Sequence, residues 1–186
     1  PLVGLIDTER VGVTGRSLGG QTALGAAGAR LNLAPLGDVC QQEIYTSMVM
    51  VMACELHGDN MAVLEARLLA FTGATAKEGD YFPSLADPRV DAILPIVPGA
   101  LLAFGLGPGL QFVELPTLLI HAENDAVAIP EYNVLLAWEN IVSANKTLVT
   151  FENANHYFGL GCNDGWTEAL PVVCSDPVWD IARTHD

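Results

Sequence analysis

Short apolar runs recur along the chain, separated by segments whose apolar residues repeat at helical spacing. Arg10-Val11-Gly12-Val13-Thr14, Val90 to Val97, Leu115 to His121 and Lys146 to Phe151 each read as a buried strand. The stretch from Leu18 to about Leu31 is rich in Ala and Leu and predicts a helix. Pro130 to about Val142 predicts another, with its proline in the first turn, where the missing N–H costs nothing. Tyr45 to Leu56 and Met61 to Phe71 also look helical, divided by the breaker Gly58-Asp59-Asn60. They belong to a less regular segment, about 34–88, read as a helical insertion that covers a site or as a crossover with extra helices. Met48, Met50 and Met52 within it read as core filling. Gly105-Leu106-Gly107-Pro108-Gly109 lacks the Gly-Lys-Ser/Thr ending of a phosphate loop and reads as a plain loop.

Strands that are apolar almost throughout and alternate with helices predict an α/β fold. Its sheet is mostly parallel, with helices on both faces. No repeat, low-complexity tract or linker divides the chain, so residues 1–186 are read as one domain. Ligands of such sheets bind beyond the carboxyl ends of the strands, so chemistry is sought there.

Composition narrows the partners. Of the 186 residues, 51% are hydrophobic and 16% charged, which suits a packed globular chain. No apolar run reaches the roughly 18–20 residues of a membrane helix, so no membrane span is expected. With eight Lys and Arg against 22 Asp and Glu, the net charge of −14 repels phosphate backbones and excludes nucleic acid as a partner. The acidity itself reads as a solubility feature. Cys40, Cys54, Cys162 and Cys174 lack the spacing of zinc or redox sites, and no metal is expected. Local bridges, Cys40–Cys54 and Cys162–Cys174, are the simplest of the pairings four cysteines allow; free buried thiols in a cytosolic protein are the alternative. Bridges imply an oxidising compartment, secreted or periplasmic. The chain begins at Pro1 without Met, and is read as a mature or truncated product.

Three positions carry candidate chemistry. Gly15-Arg16-Ser17-Leu18-Gly19-Gly20 stands between the first predicted strand and the first predicted helix. A sharp strand-to-helix turn with small flanking residues lifts a serine hydroxyl clear of the backbone, as a nucleophile requires. It also leaves the Leu18 N–H free to donate to a developing oxyanion. Serine is a weak nucleophile at neutral pH and needs a base, which in turn needs an orienting acid. Asp125, after the Leu115–His121 strand, is the candidate acid, with Glu123 as its competitor. His156, a few residues beyond the Lys146–Phe151 strand, is the candidate base. The remaining histidines, His57, His121 and His185, read as surface or hydrogen-bonded structural residues.

The order Ser17, Asp125, His156 resembles that of the α/β-hydrolase superfamily. Within it the chain looks like esterases related to dienelactone hydrolases, platelet-activating-factor acetylhydrolases and polyester hydrolases. Asp7 and Arg10 to Gly20, Pro116 to Asp125 with Pro130-Glu131-Tyr132-Asn133, and Asn155-His156-Tyr157-Phe158 carry the resemblance. Cys162, just past the histidine, fits the secreted members. The resemblance implies carboxylic-ester hydrolysis without a cofactor, on a small-molecule or polymer ester.

Two departures bear on this expectation. Such families usually place His, Gln or Tyr where Arg16 stands; Arg16 is read as pairing with a local carboxylate, or as attracting an acidic substrate. They also carry several strands and a second oxyanion donor before the serine turn. The chain therefore reads as the C-terminal part of a hydrolase, lacking the N-terminal strands, with the serine strand left as a sheet edge. On that reading it is unstable or inactive alone, unless a second polypeptide, a partner copy or further residues complete the sheet. Pro98 and Tyr157 are expected in the substrate pocket wall. Two rival functions stand beside the esterase: a non-catalytic hydrolase-like binding or scaffold domain, and a hydrolase of lactones, amides or thioesters. Asn145-Lys146-Thr147 is a glycosylation acceptor pattern that matters in a eukaryotic secretory host.

Overall fold

The architecture comes from a computed structural model that describes residues 7–40, 60–99, 101–160 and 164–169, with Gly4, Cys54, Pro171, Cys174 and Ser175. The four apolar runs form strands β1 (Val11–Arg16), β2 (Val90–Ile96), β3 (Thr117–Ala122) and β4 (Lys146–Phe151). They lie in the order β1-β2-β3-β4, and every neighbouring pair is parallel. Val13 stands opposite Ile93, and Ile120 opposite Val149. β1 and β4 are thus the edges of the sheet among the described residues.

Parallel neighbours cannot be joined by a tight hairpin, so each connection must cross over the sheet. Helices α1 (Leu18–Ala26), α2 (Leu36–Cys40) and α3 (Met61–Thr72) lie between β1 and β2. Two short 3₁₀ turns, Leu101–Ala103 and Pro108–Phe112, separate β2 from β3. Helix α4 (Val134–Asn140) leads into β4, and α5 (Asp164–Ala169) follows it. Leu24 of α1, Ile93, Leu119, and Val134 and Ala137 of α4 join one buried cluster, fixing both helices to the sheet. Leu24 and Leu119 are fully buried, each worth about 1.5–3 kcal/mol. Val97, Ala122, Ala154 and Phe158 form a second cluster, with Ile96, Ile120 and Phe151 against it. Leu118 and Val149 remain exposed to solvent.

Helix ends differ from the sequence pattern for local reasons. α1 stops at Ala26 rather than near Leu31, because Gly28 takes φ 113° and passes so close to Phe112 that a Cβ would lie 2.8 Å from its carbonyl oxygen. The helix expected over Pro130–Val142 is split into a 3₁₀ turn, Pro130–Tyr132, and α4. Asn133 divides them: its side-chain amide donates to the Ile129 carbonyl at 3.0 Å, competing with the helical ladder. Where a plain loop was expected after Gly105, Pro108–Phe112 winds into a 3₁₀ turn and buries Gly109 and Leu110.

In the irregular segment, α3 packs Met61, Leu64, Leu68 and Leu69 against Leu33, Leu36, Phe82 and Leu102. Gly73, left-handed at φ 69°, caps it by donating to the carbonyls of Ala70 and Leu69. The Cys40–Cys54 bridge is formed. The helix expected over Tyr45–Leu56 lies outside the described residues apart from Cys54, as do Met48, Met50, Met52, His57, His185 and Cys162, and with Cys162 the second expected bridge. Cys174 is described and is not a free thiol. No helix among the described residues is long and apolar enough to cross a membrane.

Candidate active site

β1 ends directly in the serine turn. Ser17 has φ 54° and ψ −117°, a conformation that L side chains rarely adopt and that costs about 1–3 kcal/mol. Backbone hydrogen bonds hold it there. Its N–H donates to the Ile96 carbonyl at 2.9 Å, and its own carbonyl accepts from Gly20 N–H at 2.9 Å and Gly99 N–H at 3.0 Å. The turn closes so tightly that a Cβ on Gly15 would lie 2.1 Å from the Gly19 carbonyl oxygen. A Cβ on Gly20 would meet Pro98 at 2.9 Å, whereas one on Gly19 would meet nothing within 4 Å. The steric demand for glycine thus falls at Gly15 and Gly20, not on the side-chain direction of Gly19.

The loops after β3 and β4 converge on this turn. Asp125 accepts from the backbone N–H groups of Val127 at 2.9 Å and Ala128 at 2.7 Å through Oδ1. That leaves Oδ2 for His156 Nδ1, 2.7 Å away. His156 Nε2 lies 3.1 Å from Ser17 Oγ. Asp125 and His156 are both buried, at 5% and 4% exposure, so their bond is shielded from water. The structure brings together the serine, histidine and aspartate singled out from the sequence. Glu123 is exposed and turned away, accepting from the Asn153 N–H at 2.8 Å. Asn155 shapes the histidine loop further: its Oδ1 accepts from Tyr157 N–H at 2.7 Å and its amide donates to the Ser175 carbonyl at 3.1 Å.

The remaining expected positions divide. Leu18 opens α1, and its N–H has no acceptor among the described residues, so it remains available to an oxyanion. Tyr157 is half-buried beside His156, ring edge to ring face with centroids 5.3 Å apart. Pro98 is fully buried behind Gly20, so its side chain offers no surface to a substrate. His121 is buried too, with Nδ1 3.2 Å from Thr150 Oγ1 and Nε2 unpartnered among the described residues. Burial pulls its pKa below the ordinary value, against the opposing fields of Glu123, Asp125 and Glu131.

Arg16 departs from the first role expected for it, pairing with a local carboxylate. Among the described residues it makes no ion pair with a carboxylate; its Nη2 donates to the main-chain carbonyl of His156, and its guanidinium lies over the Phe158 ring, 5.3 Å from the centroid. The reason is geometric. Arg16 is the last residue of β1, and the histidine loop passes over it, so the nearest strong acceptor is that carbonyl rather than a side chain. No group of three His, Cys, Asp or Glu side chains among the described residues could hold a metal.

No protein-family model matches the chain, and no curated protein does. Solved structures do resemble it. A CIB-like hydrolase from Thermoplasma acidophilum is 14% identical with a TM-score of 0.38, over 80% of this chain and 42% of that one. A cold-adapted esterase from an Arctic intertidal metagenomic library is 16% identical with a TM-score of 0.32, over 47% and 36%. A variant of the meta-cleavage product hydrolase CumD is 21% identical with a TM-score of 0.32, over 92% and 65%. The chain spans less than two thirds of each structure it resembles.

Proposed function

We propose that the chain carries the catalytic centre of a serine hydrolase of the α/β-hydrolase type, cleaving carboxylic esters through an acyl-enzyme. The unbroken hydrogen-bonded series Ser17 Oγ, His156, Asp125, anchored on a strained strand-to-helix turn, carries this reading. Ser17 Oγ attacks the ester carbonyl as its proton passes to His156 Nε2. Asp125 keeps the Nδ1 proton oriented and faces the imidazolium that forms. The carbonyl oxygen becomes an oxyanion against the Leu18 N–H. It then collapses, and His156 returns the proton to the departing alcohol. Water attacks the acyl-enzyme with His156 again as base, releasing the acid and restoring Ser17.

Tyr157, half-buried with its ring against His156, is the side chain we assign to substrate contact. The Cys40–Cys54 bridge supports a secreted or periplasmic setting. Turnover of p-nitrophenyl acetate and butyrate, compared with a matched lactone, thioester and anilide, tests the reading. The esters are expected to turn over fastest. Ser17→Ala and His156→Gln are each expected to reduce kcat by about 10⁴-fold or more. A Ser17→Ala protein with unchanged kcat would refute it.

A further inference from the structure

Arg16 ends β1 immediately before the serine turn. It is covalently next to Ser17, yet its guanidinium bonds the carbonyl of His156, 140 residues away in sequence. The two residues whose spacing decides proton transfer are therefore tied twice. One tie is the 3.1 Å contact between Oγ and Nε2; the other is this side-chain-to-backbone strut. Burial drags the guanidinium below its ordinary pKa, and the fields of Asp125 and Tyr157 act in the opposite direction. A cation taken partly out of water, without a carboxylate in ion-pair contact among the described residues, is costly for stability alone. A charge-assisted bond to one carbonyl and the face of Phe158 offset that cost, and both partners lie on the histidine loop.

We propose that Arg16 is a positioning residue, a strut that sets the height of the His156 imidazole over Ser17. This rests on the serine-hydrolase reading. Arg16 touches neither substrate nor the reacting atoms; it acts through the main chain of His156. Its removal lets the histidine loop rise, and displacement of a reacting group by about 1 Å costs on the order of 10²-fold in rate. Ground-state binding is left largely intact, because the side chain lies beneath the loop.

The test uses the full protein with Arg16→Met, Arg16→Lys and Arg16→Ala. It follows kcat and KM on a p-nitrophenyl ester together with the rate of fluorophosphonate labelling. Arg16→Met is expected to lower kcat and the labelling rate together by about 100-fold, with KM changed less than about threefold. Arg16→Lys, whose ammonium can still donate to the carbonyl, is expected to recover about tenfold of that loss. Millimolar guanidinium is expected to accelerate Arg16→Ala and to leave the parent protein unchanged. Parent-like kcat in Arg16→Met overturns the strut, as does a loss confined to KM. If Arg16→Met fails to fold, Arg16→Lys and guanidinium rescue of Arg16→Ala decide, and parent-like kcat in Lys with no rescue of Ala overturns it. If the parent protein is not labelled at Ser17, the hydrolase reading itself fails and the strut falls with it; labelled Ser17 with indifferent Arg16 variants removes the strut alone.

Discussion

His121 and His156 lie on neighbouring loops and strands, yet the surroundings of each ring give it a different task. His156 has a partner at both nitrogens, Asp125 and Ser17. His121 has one, Thr150, and a buried Nε2 that meets none among the described residues. Burial lowers the His121 pKa from its ordinary 6.5, so the folded state binds a proton there less readily than the unfolded chain. Its contribution to stability is therefore complete above pH 6.5 and is lost as pH falls through the folded pKa. Urea midpoints between about pH 7 and pH 5 should fall more steeply for the parent protein than for His121→Leu. Equal slopes would show that His121 does not take part. The candidate site of Ser17, Asp125 and His156 was legible in the sequence because each follows a strand in order along the chain. The Arg16 contact with the His156 carbonyl was not, because a bond from a lone cation to a main-chain carbonyl leaves no pattern of residue types. Pro98 was likewise placed in the pocket wall from its loop position, whereas packing against Gly20 encloses it.

At the scale of elements, the serine turn depends on two backbones passing in near contact. Gly15→Ala would drive a Cβ to 2.1 Å from the Gly19 carbonyl oxygen, and neither backbone can move without releasing Ser17. A loss of at least about 3 kcal/mol is expected by urea denaturation. Gly19→Ala meets open space inside α1 and should be neutral or stabilise by up to about 1 kcal/mol. Equal effects from the two would contradict this account of the turn. The strands were legible because parallel strands read as short apolar runs, even though Gly12, Thr14, Leu118 and Val149 on them stay exposed. The helix ends were less so. Gly28 ends α1 early through its approach to Phe112, and Asn133 splits the next expected helix by a side-chain bond. Both are contacts that periodicity does not carry.

Across the whole molecule, the sheet gathers residues from three widely separated stretches at the carboxyl ends of its strands. Ser17 follows β1, Asp125 follows β3 and His156 follows β4. The Cys40–Cys54 bridge lies in the long connection between β1 and β2, with a sequence separation of 14. Closing a loop of that length is worth roughly 3 kcal/mol in the chain-entropy model. Replacing both cysteines by alanine should lower unfolding stability by about that amount. Ser17 opens this same connection, ahead of α1, while Asp125 and His156 follow β3 and β4, so kcat should be little changed. A large fall in kcat in a folded protein would mean that the bridged segment shapes the site directly. The bridge was legible as the simplest local pairing, whereas the short helix α2 that carries Cys40 was hidden in a segment without clear periodicity.

Ser17, activated by His156, is the proposed nucleophile. Peptide mass spectrometry after treatment with a fluorophosphonate tests it most directly. The predicted result is a single phosphonylated peptide bearing the adduct on Ser17, strongly diminished in His156→Gln and absent in Ser17→Ala. An adduct on another residue, or labelling of Ser17→Ala at the parent rate, would contradict the account.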